Sequence, residues 1–136
     1  MTLFVDTSVW SLALRRDAPA PTQEVRELAR AHDAGETVAT TGLVLQELLQ
    51  GFSGPRAREQ IVERFSALLF LSPERGDHIE AAALRNTCRG SGIQICTIDA
   101  LLAQLCIYHD LTLLTADDDF RRIGRHSTLK VWSGSR

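Results

Sequence analysis

The chain opens with Met1-Thr2-Leu3-Phe4-Val5-Asp6-Thr7-Ser8-Val9-Trp10. Within it, Leu3–Val5 is a short apolar run whose composition is typical of a strand buried on both faces. Thr7 then begins a helical pattern that continues to about Arg15. Asp6 lies between the two patterns, and open α/β sheets place their ligands at the carboxyl ends of their strands. Asp6 is therefore either the cap of this helix or a ligand at the edge of a sheet.

The rest of the chain alternates helical and strand patterns, which predicts an α/β fold with a mainly parallel central sheet and helices on both faces. Right-handed crossovers then bring the carboxyl ends of the strands, and any acids there, to one edge. The predicted helices are 7–15, 22–33, 41–51 with Thr41 or Thr40 as cap, 55–69, 77–89, 98–109 and a short one around Phe120 and Ile123; the predicted strands are 3–5, 37–40, 70–71, 111–115 and 129–132.

Length and composition predict one domain, residues 1–136, of a soluble globular protein. The mass is 15.0 kDa, with 44% hydrophobic and 24% charged residues. No apolar run reaches the roughly 18 residues of a membrane span, and the N-terminus does not resemble a secretory signal. Cys88, Cys96 and Cys106 are odd in number and have no CxxC spacing. We therefore expect reduced thiols and a cytoplasmic protein rather than disulfides, a zinc site or a membrane partner.

The charge of the chain does not identify its partner. A formal net charge of −2 excludes a globally basic nucleic-acid binder. Of the 15 Lys and Arg residues, all but Lys130 are arginines. Arginine suits bidentate contacts to phosphate, but a high arginine content also reflects the nucleotide composition of a genome.

Glu47 is the most informative single acid. On a helix its neighbours at three and four positions are Leu43, Val44 and Gly51, so it lies on or beside the buried face. Charged side chains are rarely buried without a partner. The alternative is a helix rotated far enough to leave Glu47 in water.

Two further acids occupy comparable places. Asp99 lies in the first turn of a helix that Thr97 is predicted to cap, where the helix dipole alone favours a carboxylate. Asp117 follows a buried strand and precedes a helix, as Asp6 does. Asp118 and Asp119 come directly after it, so one of these three acids can cap the helix while another is a ligand.

The four acids together point to a divalent cation. Carboxylates about 4 Å apart repel one another by roughly 4 kcal/mol at an effective dielectric constant near 20. No lysine or histidine in these motifs is placed to neutralise them. Mg²⁺, with Mn²⁺ as substitute, prefers such oxygen ligands. It polarises a phosphodiester oxygen and lowers the pKa of a bound water. Whether one or two ions bind stays open.

The acids and their neighbours resemble a known family. Val5-Asp6-Thr7-Ser8, Gln46-Glu47, Thr97-Ile98-Asp99 and Leu114-Thr115-Ala116-Asp117-Asp118-Asp119-Phe120, in this order, are similar to the motifs of the PIN-domain ribonucleases, and in particular of the VapC toxins of bacterial VapBC toxin–antitoxin pairs. The match spans essentially the whole chain. Each motif alone is weak, but the ordered set is specific, and it implies a PIN-like three-layer α/β/α sandwich.

The resemblance also implies roles for single residues. Asp118 matches a position that the family does not fix, and Thr7 and Ser8 match a hydroxyl pair after the first acid. The implied catalytic and metal-binding acids are Asp6, Glu47, Asp99 and Asp117, with Asp119 as a fifth metal ligand, and the implied site-orienting hydroxyls are Ser8 and Thr115.

The implied activity is Mg²⁺-dependent hydrolysis of RNA by metal-activated water, leaving a 3′-hydroxyl and a 5′-phosphate. The implied substrate is a structured RNA such as tRNA or rRNA, with messenger RNA as a further target in the family. The implied partners are a second copy, in a homodimer, and a VapB-like antitoxin that often puts a basic side chain into the acid cluster. The candidates for phosphate contact, for each of which a solvated surface position is the alternative, are Arg15, Arg16, Arg89, Arg121, Arg122 and Arg125.

Other classes fit the sequence less well. A phosphotransfer receiver needs adjacent acids after the first strand and a lysine after a late strand, but Asp6 has no acidic neighbour and Lys130 is the only lysine. An acid-nucleophile phosphatase needs a second Asp two residues after the first, and that position is Ser8. A non-catalytic PIN-like RNA-binding or interaction scaffold stays open, because a sequence does not prove turnover.

Overall fold

The computed structural model describes residues 1–15 and 21–134. These residues form five strands in one parallel sheet of order β3-β2-β1-β4-β5, together with seven helices. The elements in chain order are β1 (Leu3–Val5), α1 (Thr7–Leu14), α2 (Gln23–Asp33), β2 (Val38–Thr41), α3 (Gly42–Gly51), α4 (Pro55–Ser66), β3 (Leu69–Leu71), α5 (Arg75–Gly90), α6 (Thr97–Tyr108), β4 (Thr112–Leu114), α7 (Asp118–Arg125) and β5 (Lys130–Val131).

The connections divide the helices between the two faces of the sheet. Strands β1, β2 and β3 are added one after another toward one edge of the sheet. The chain then crosses back over the sheet and adds β4 and β5 toward the other edge. Right-handed crossovers therefore place α1–α4 on one face and α5–α7 on the opposite face. Helix packing agrees, since α1 contacts α2 and α3, α3 contacts α4, and α6 contacts α5 and α7. The predicted three-layer α/β/α fold is confirmed.

This topology creates a crevice at the ends of two adjacent strands. The helix after β1 lies on one face of the sheet and the helix after β4 on the other, so the chain diverges between them. Open α/β sheets bind ligands at such switch points. Asp6 follows β1, and Thr115 and Asp117 follow β4, so the fold puts these two acids and the Thr115 hydroxyl at the crevice.

Apolar residues fix these elements in place. Leu3–Val5 is fully buried, as the strand pattern predicts for the centre of a parallel sheet. Residues 100–106 of α6 are all buried, so this helix runs through the interior and carries its first turn to the end of the sheet. On the other face, the rings of Trp10 and Phe65 join α1 to α4 with centroids 4.9 Å apart. No helix within the described ranges is long and apolar enough to cross a membrane.

Several element boundaries differ from the prediction by a few residues, and three of these differences have a clear structural reason. The cap of α6 is Cys96 and not Thr97, because the backbone is still extended at Cys96 and turns helical at Thr97. Helix α4 ends at Ser66, short of the predicted 69, because Leu69 pairs with Ala39 of β2 and so joins the sheet. For the same reason β2 extends through Thr41, which pairs with β3.

Candidate metal centre

Three carboxylates meet beside the ends of β1 and β4. Asp99 comes from the first turn of α6, Asp117 is the residue that caps α7, and Asp119 lies in the first turn of α7. Each offers one oxygen, and these oxygens all lie within 4.8 Å of one another. Two helix N-termini on one face of the sheet therefore bring together three of the acids that the sequence singles out.

Asp6 lies next to this cluster and is held by two hydroxyl groups. Its carboxylate is only 3% exposed. Ser8 Oγ donates to Oδ1 at 2.6 Å, and Thr115 Oγ1 donates to Oδ2 at 2.6 Å. The backbone N–H of Val9 also donates to Oδ1, at 3.4 Å, so Asp6 caps α1 as well. The two interpretations of Asp6, cap and site acid, are thus compatible.

The two hydroxyls also fix the chain that carries Asp117. Ser8 Oγ accepts from the backbone N–H of Ala116 at 2.9 Å, and Thr115 Oγ1 accepts from that of Asp117 at 2.9 Å. Because each hydroxyl accepts one of these bonds, its own proton is directed at Asp6. The arrangement locks the loop after β4 to the end of β1.

Burial and mutual repulsion shape the charges of the site. Burial raises the pKa of Asp6, although the hydrogen bonds from Ser8 and Thr115 act against this. Burial likewise raises the pKa of Asp99; a hydrogen bond with the Cys96 thiol opposes that change, and the charges of Asp117, Asp6 and Asp119 add to it. A positive charge at this point would favour the ionised forms of these acids.

Glu47 stands apart from the trio but is tied to the same region. It is partly buried on α3, and its Oε1 accepts a 2.6 Å hydrogen bond from Thr7 Oγ1. The helix is therefore not rotated to leave this carboxylate free in water. Thr7 follows Asp6 directly, so Glu47 faces the start of α1.

The structure contains an ion pair at the site, between Arg122 and Asp119, that the sequence analysis did not predict. Arg122 Nη1 lies 2.6 Å from Asp119 Oδ1, and both side chains are about half exposed. An arginine, and not a lysine or a histidine, therefore neutralises one acid of the site. The spacing of three residues within one helix is the signal that finds this arginine.

Arg121, a candidate for phosphate contact, is engaged with protein groups in the structure. Its guanidinium lies 2.8 Å from Asp118 Oδ1 and 3.4 Å from Glu24 Oε2, and it donates to the Thr115 carbonyl at 3.2 Å. It therefore links α7 to α2 and supports the backbone of Thr115 from outside the cluster.

The remaining arginine candidates lie on the surface or outside the described residues. Arg15, Arg89 and Arg125 are exposed. Arg16 falls outside the ranges that the structure describes.

The donor set suits a hard divalent cation. Carboxylate oxygens are the ligands that Mg²⁺ and Mn²⁺ prefer. Metal–oxygen bonds of about 2.0–2.1 Å place ligands at most about 4.2 Å apart, so small rotations of Asp99, Asp117 and Asp119 from their present spacing suffice. Arg122 occupies Oδ1 of Asp119, so a cation binds Asp119 through Oδ2 or in competition with Arg122.

Several solved structures share this fold over almost the whole chain. VapBC2 from Rickettsia felis, solved with a DNA fragment from its promoter, has 19% identity and a TM-score of 0.76 over 99% of this chain and 100% of that one. VapBC-1 from nontypeable Haemophilus influenzae has 17% identity and a TM-score of 0.75 over 98% of both chains. VapC20 from Mycobacterium tuberculosis, described as a Sarcin-Ricin loop cleaving toxin, has 19% identity and a TM-score of 0.68 over 90% of this chain and 95% of that one.

Comparison by sequence gives two results. No curated protein matches the chain. The family model of the PIN domain matches residues 3–126, which include every acid of the candidate site. The chain therefore belongs to the PIN-domain family.

Proposed function

We propose that this protein is a Mg²⁺-dependent endoribonuclease of the VapC kind, the toxin of a toxin–antitoxin pair. The observation that carries the proposal is the convergence of Asp99, Asp117 and Asp119 beside the buried Asp6, at the switch point of a PIN-domain sheet. Membership of the PIN family and the shared fold with VapBC structures support it.

In this proposal the acids hold the cation and the hydroxyls hold the acids. Asp99, Asp117 and Asp119 supply oxygen ligands to the cation, and the buried Asp6 beside them adds negative charge to the site. Ser8 and Thr115 donate to the two oxygens of Asp6, which fixes the carboxylate and favours its ionised form against the effect of burial. When bound, Mg²⁺ supplies the charge that polarises a phosphodiester oxygen and lowers the pKa of the attacking water.

Glu47 has a separate place in the proposed mechanism. Its Oε1 is occupied by Thr7, which fixes the direction of the carboxylate near Asp6. We propose that it orients the water that attacks phosphorus, or shares in holding the cation. In-line attack then leaves a 3′-hydroxyl and a 5′-phosphate.

The proposed substrate is a structured RNA such as tRNA or rRNA. A protein that shares the fold is described as cleaving the Sarcin-Ricin loop, which supports this substrate class. Arg15, Arg89 and Arg125 are exposed and are proposed to contact phosphates. Arg121 and Arg122 would first have to leave their acidic partners.

The proposed partners are a VapB-like antitoxin and a second copy of the chain. Three carboxylates that bind a cation also attract an arginine, so an antitoxin side chain inserted there would compete with the metal. The VapBC structures with the same fold support this pairing. We propose the cytoplasm as the place of action, since the substrate RNA is there.

The decisive experiment is end-mapped cleavage of total RNA by the purified, antitoxin-free protein. It is run with Mg²⁺, with chelator, and with Asp99→Asn, which keeps the side-chain size and removes the charge. Asp33→Asn, at an exposed position at the end of α2, is the matched control. We expect discrete cuts that require both Mg²⁺ and Asp99 and survive Asp33→Asn.

The main alternative is a non-catalytic PIN-like scaffold. Intact RNA under Mg²⁺ and Mn²⁺, from a folded protein that binds the metal, would favour it. Equal cleavage by Asp99→Asn and the wild-type protein would refute the proposed site.

A further inference from the structure

Two threonines at the end of β2 bury hydroxyl groups without hydrogen bonds. Thr40 is 0% and Thr41 is 1% exposed, and neither Oγ1 has a partner within residues 1–15 and 21–134. A buried polar group without a partner loses its water and gains nothing in return, so such groups are rare in folded proteins. Each of these hydroxyls therefore calls for an explanation.

The sheet register, continued to the ends of β1 and β2, brings Thr41 level with Asp6. On one side of β1, Val5 is level with Leu114, so the next residue, Asp6, is level with Thr115; their 2.6 Å hydrogen bond shows that the register continues beyond the strand. On the other side, Phe4 is level with Ala39. This is the last pair between β1 and β2, and the same register continued for two residues along both segments brings Asp6 level with Thr41.

The two threonines face opposite layers of the molecule. Side chains alternate along a strand, and neighbours in parallel register share a face, so Thr41 shares the face of Asp6 and Thr40 takes the other. Phe70, which is level with Thr40, has its ring beside Gly42 of α3, so Thr40 faces the layer that holds α3. Thr41 is therefore directed into the α6 layer, where the acid cluster lies.

The Thr41 hydroxyl does not cap α3, although Thr41 stands at the N-cap position of this helix. Thr41 occupies the N-cap position of α3 with an extended backbone, where a threonine side chain ordinarily accepts from the first turn. Here it makes no such bond. The hydroxyl is thus a donor and an acceptor held next to Asp6 and not committed to the fold.

We propose that the Thr41 hydroxyl is a polar member of the cation site, where it binds a water molecule held against Asp6. The inference rests on the proposed function, because it assumes that these acids bind a divalent cation. Mg²⁺ in proteins retains several waters, and a buried water needs two or more polar partners. Asp6 and Thr41 supply two such partners on adjacent strands.

The test is a calorimetric Mn²⁺ titration of the full chain, with paired variants. Thr41→Val keeps the shape and removes the hydroxyl, Thr41→Ser keeps the hydroxyl, and Thr40→Val removes the equally buried hydroxyl on the opposite face. We expect Thr41→Val to weaken Mn²⁺ binding about tenfold or more, as the loss of an outer partner of a metal site commonly does. Thr41→Ser and Thr40→Val are expected to bind as the wild type does.

The inference is overturned if Thr41→Val binds Mn²⁺ as tightly as the wild type does. It is also overturned if Thr41→Val and Thr40→Val lose the same Mn²⁺ affinity. Both results leave the proposed metal site in place. A wild-type protein that binds no Mn²⁺ would instead refute the proposed function itself. If Thr41→Val does not fold, the wild-type crystal structure decides. Density for a water within hydrogen-bond distance of Thr41 Oγ1 and an Asp6 oxygen supports the inference, and its absence overturns it.

Discussion

Thr115 and Asp6 are joined by a 2.6 Å hydrogen bond that runs from the end of β4 to the end of β1. The same hydroxyl accepts from the backbone of Asp117, so one side chain orients two acids of the candidate site. Thr115 is fully buried, and its bond is therefore shielded from water.

Replacing Thr115 by valine is expected to lower Mn²⁺ affinity about 10- to 100-fold, because it removes the donor to Asp6 and the acceptor for Asp117. Thr112→Val, at the partly exposed threonine that begins β4, is the control. Calorimetric titration with Mn²⁺ measures both variants. Equal affinities for Thr115→Val and the wild type would show that the network does not position the site.

Asp99 is expected to make the metal-free protein less stable as the pH rises. Its raised pKa means that the folded state holds the proton more tightly than the unfolded chain does, so stability is lost as the pH rises from the ordinary value of 3.8 toward the folded value. Asp99→Asn should therefore exceed the wild type in free energy of unfolding at pH 7, and the difference should shrink below about pH 4. Urea denaturation of both proteins between about pH 4 and pH 7, in the presence of chelator, measures this difference in the free energy of unfolding.

Saturating Mg²⁺ is the internal control for this prediction. The cation stabilises the ionised wild-type cluster and should remove the advantage of Asp99→Asn. A variant that is less stable than the wild type at pH 7 in chelator would contradict the proposed repulsion.

Arg122 competes with a cation for Asp119. Because an exposed ion pair contributes about 0.2–1 kcal/mol, Arg122→Gln is expected to raise Mn²⁺ affinity by up to about fivefold. Arg125→Gln removes an exposed arginine of the same helix and should leave the affinity unchanged. Weaker Mn²⁺ binding by Arg122→Gln would show that the pair prepares the site instead. A higher KM for RNA in Arg122→Gln alone would assign this arginine to the substrate.

Cys96 is the N-cap of α6, and a serine hydroxyl at this position is expected to stabilise the helix more than the thiol does. Its Sγ accepts from the N–H of Asp99 at 3.4 Å, whereas serine is among the preferred N-cap residues. Cys96→Ser is expected to raise the free energy of unfolding by about 0.5–1 kcal/mol, and Cys96→Ala to lower it. Thr97→Ala is the comparison that separates the two possible caps. A larger loss in Thr97→Ala than in Cys96→Ala would contradict the observed cap.

The sequence revealed the acids because each follows a simple local pattern. Asp6 and Asp117 come after buried strands and before helices, and Asp99 lies in the first turn of a helix. In a parallel sheet such positions converge at one edge, so their proximity follows from topology alone. The layered fold followed from the same alternation of patterns.

What the sequence did not reveal depends on contacts between distant segments. The helical pattern of α4 ran past Ser66 because nothing local announces that Leu69 pairs with β2. Propensity favoured Thr97 as a cap over Cys96, since a thiol is a weak acceptor, but the packing of α6 fixes where the turn begins. The proximity of Thr41 to Asp6 needs the strand register, which a single sequence does not contain.

The bond between Asp6 and Thr115 also spans 109 positions of the chain. During synthesis from the N-terminus, Asp6 and Glu47 emerge well before Thr115, Asp117 and Asp119. A nascent or truncated chain that ends before β4 therefore holds Asp6 without one of its two hydroxyl donors and without the late acids of the cluster. In the proposed mechanism, the cation site therefore cannot assemble before the residues through Asp119 have been made and folded against β1.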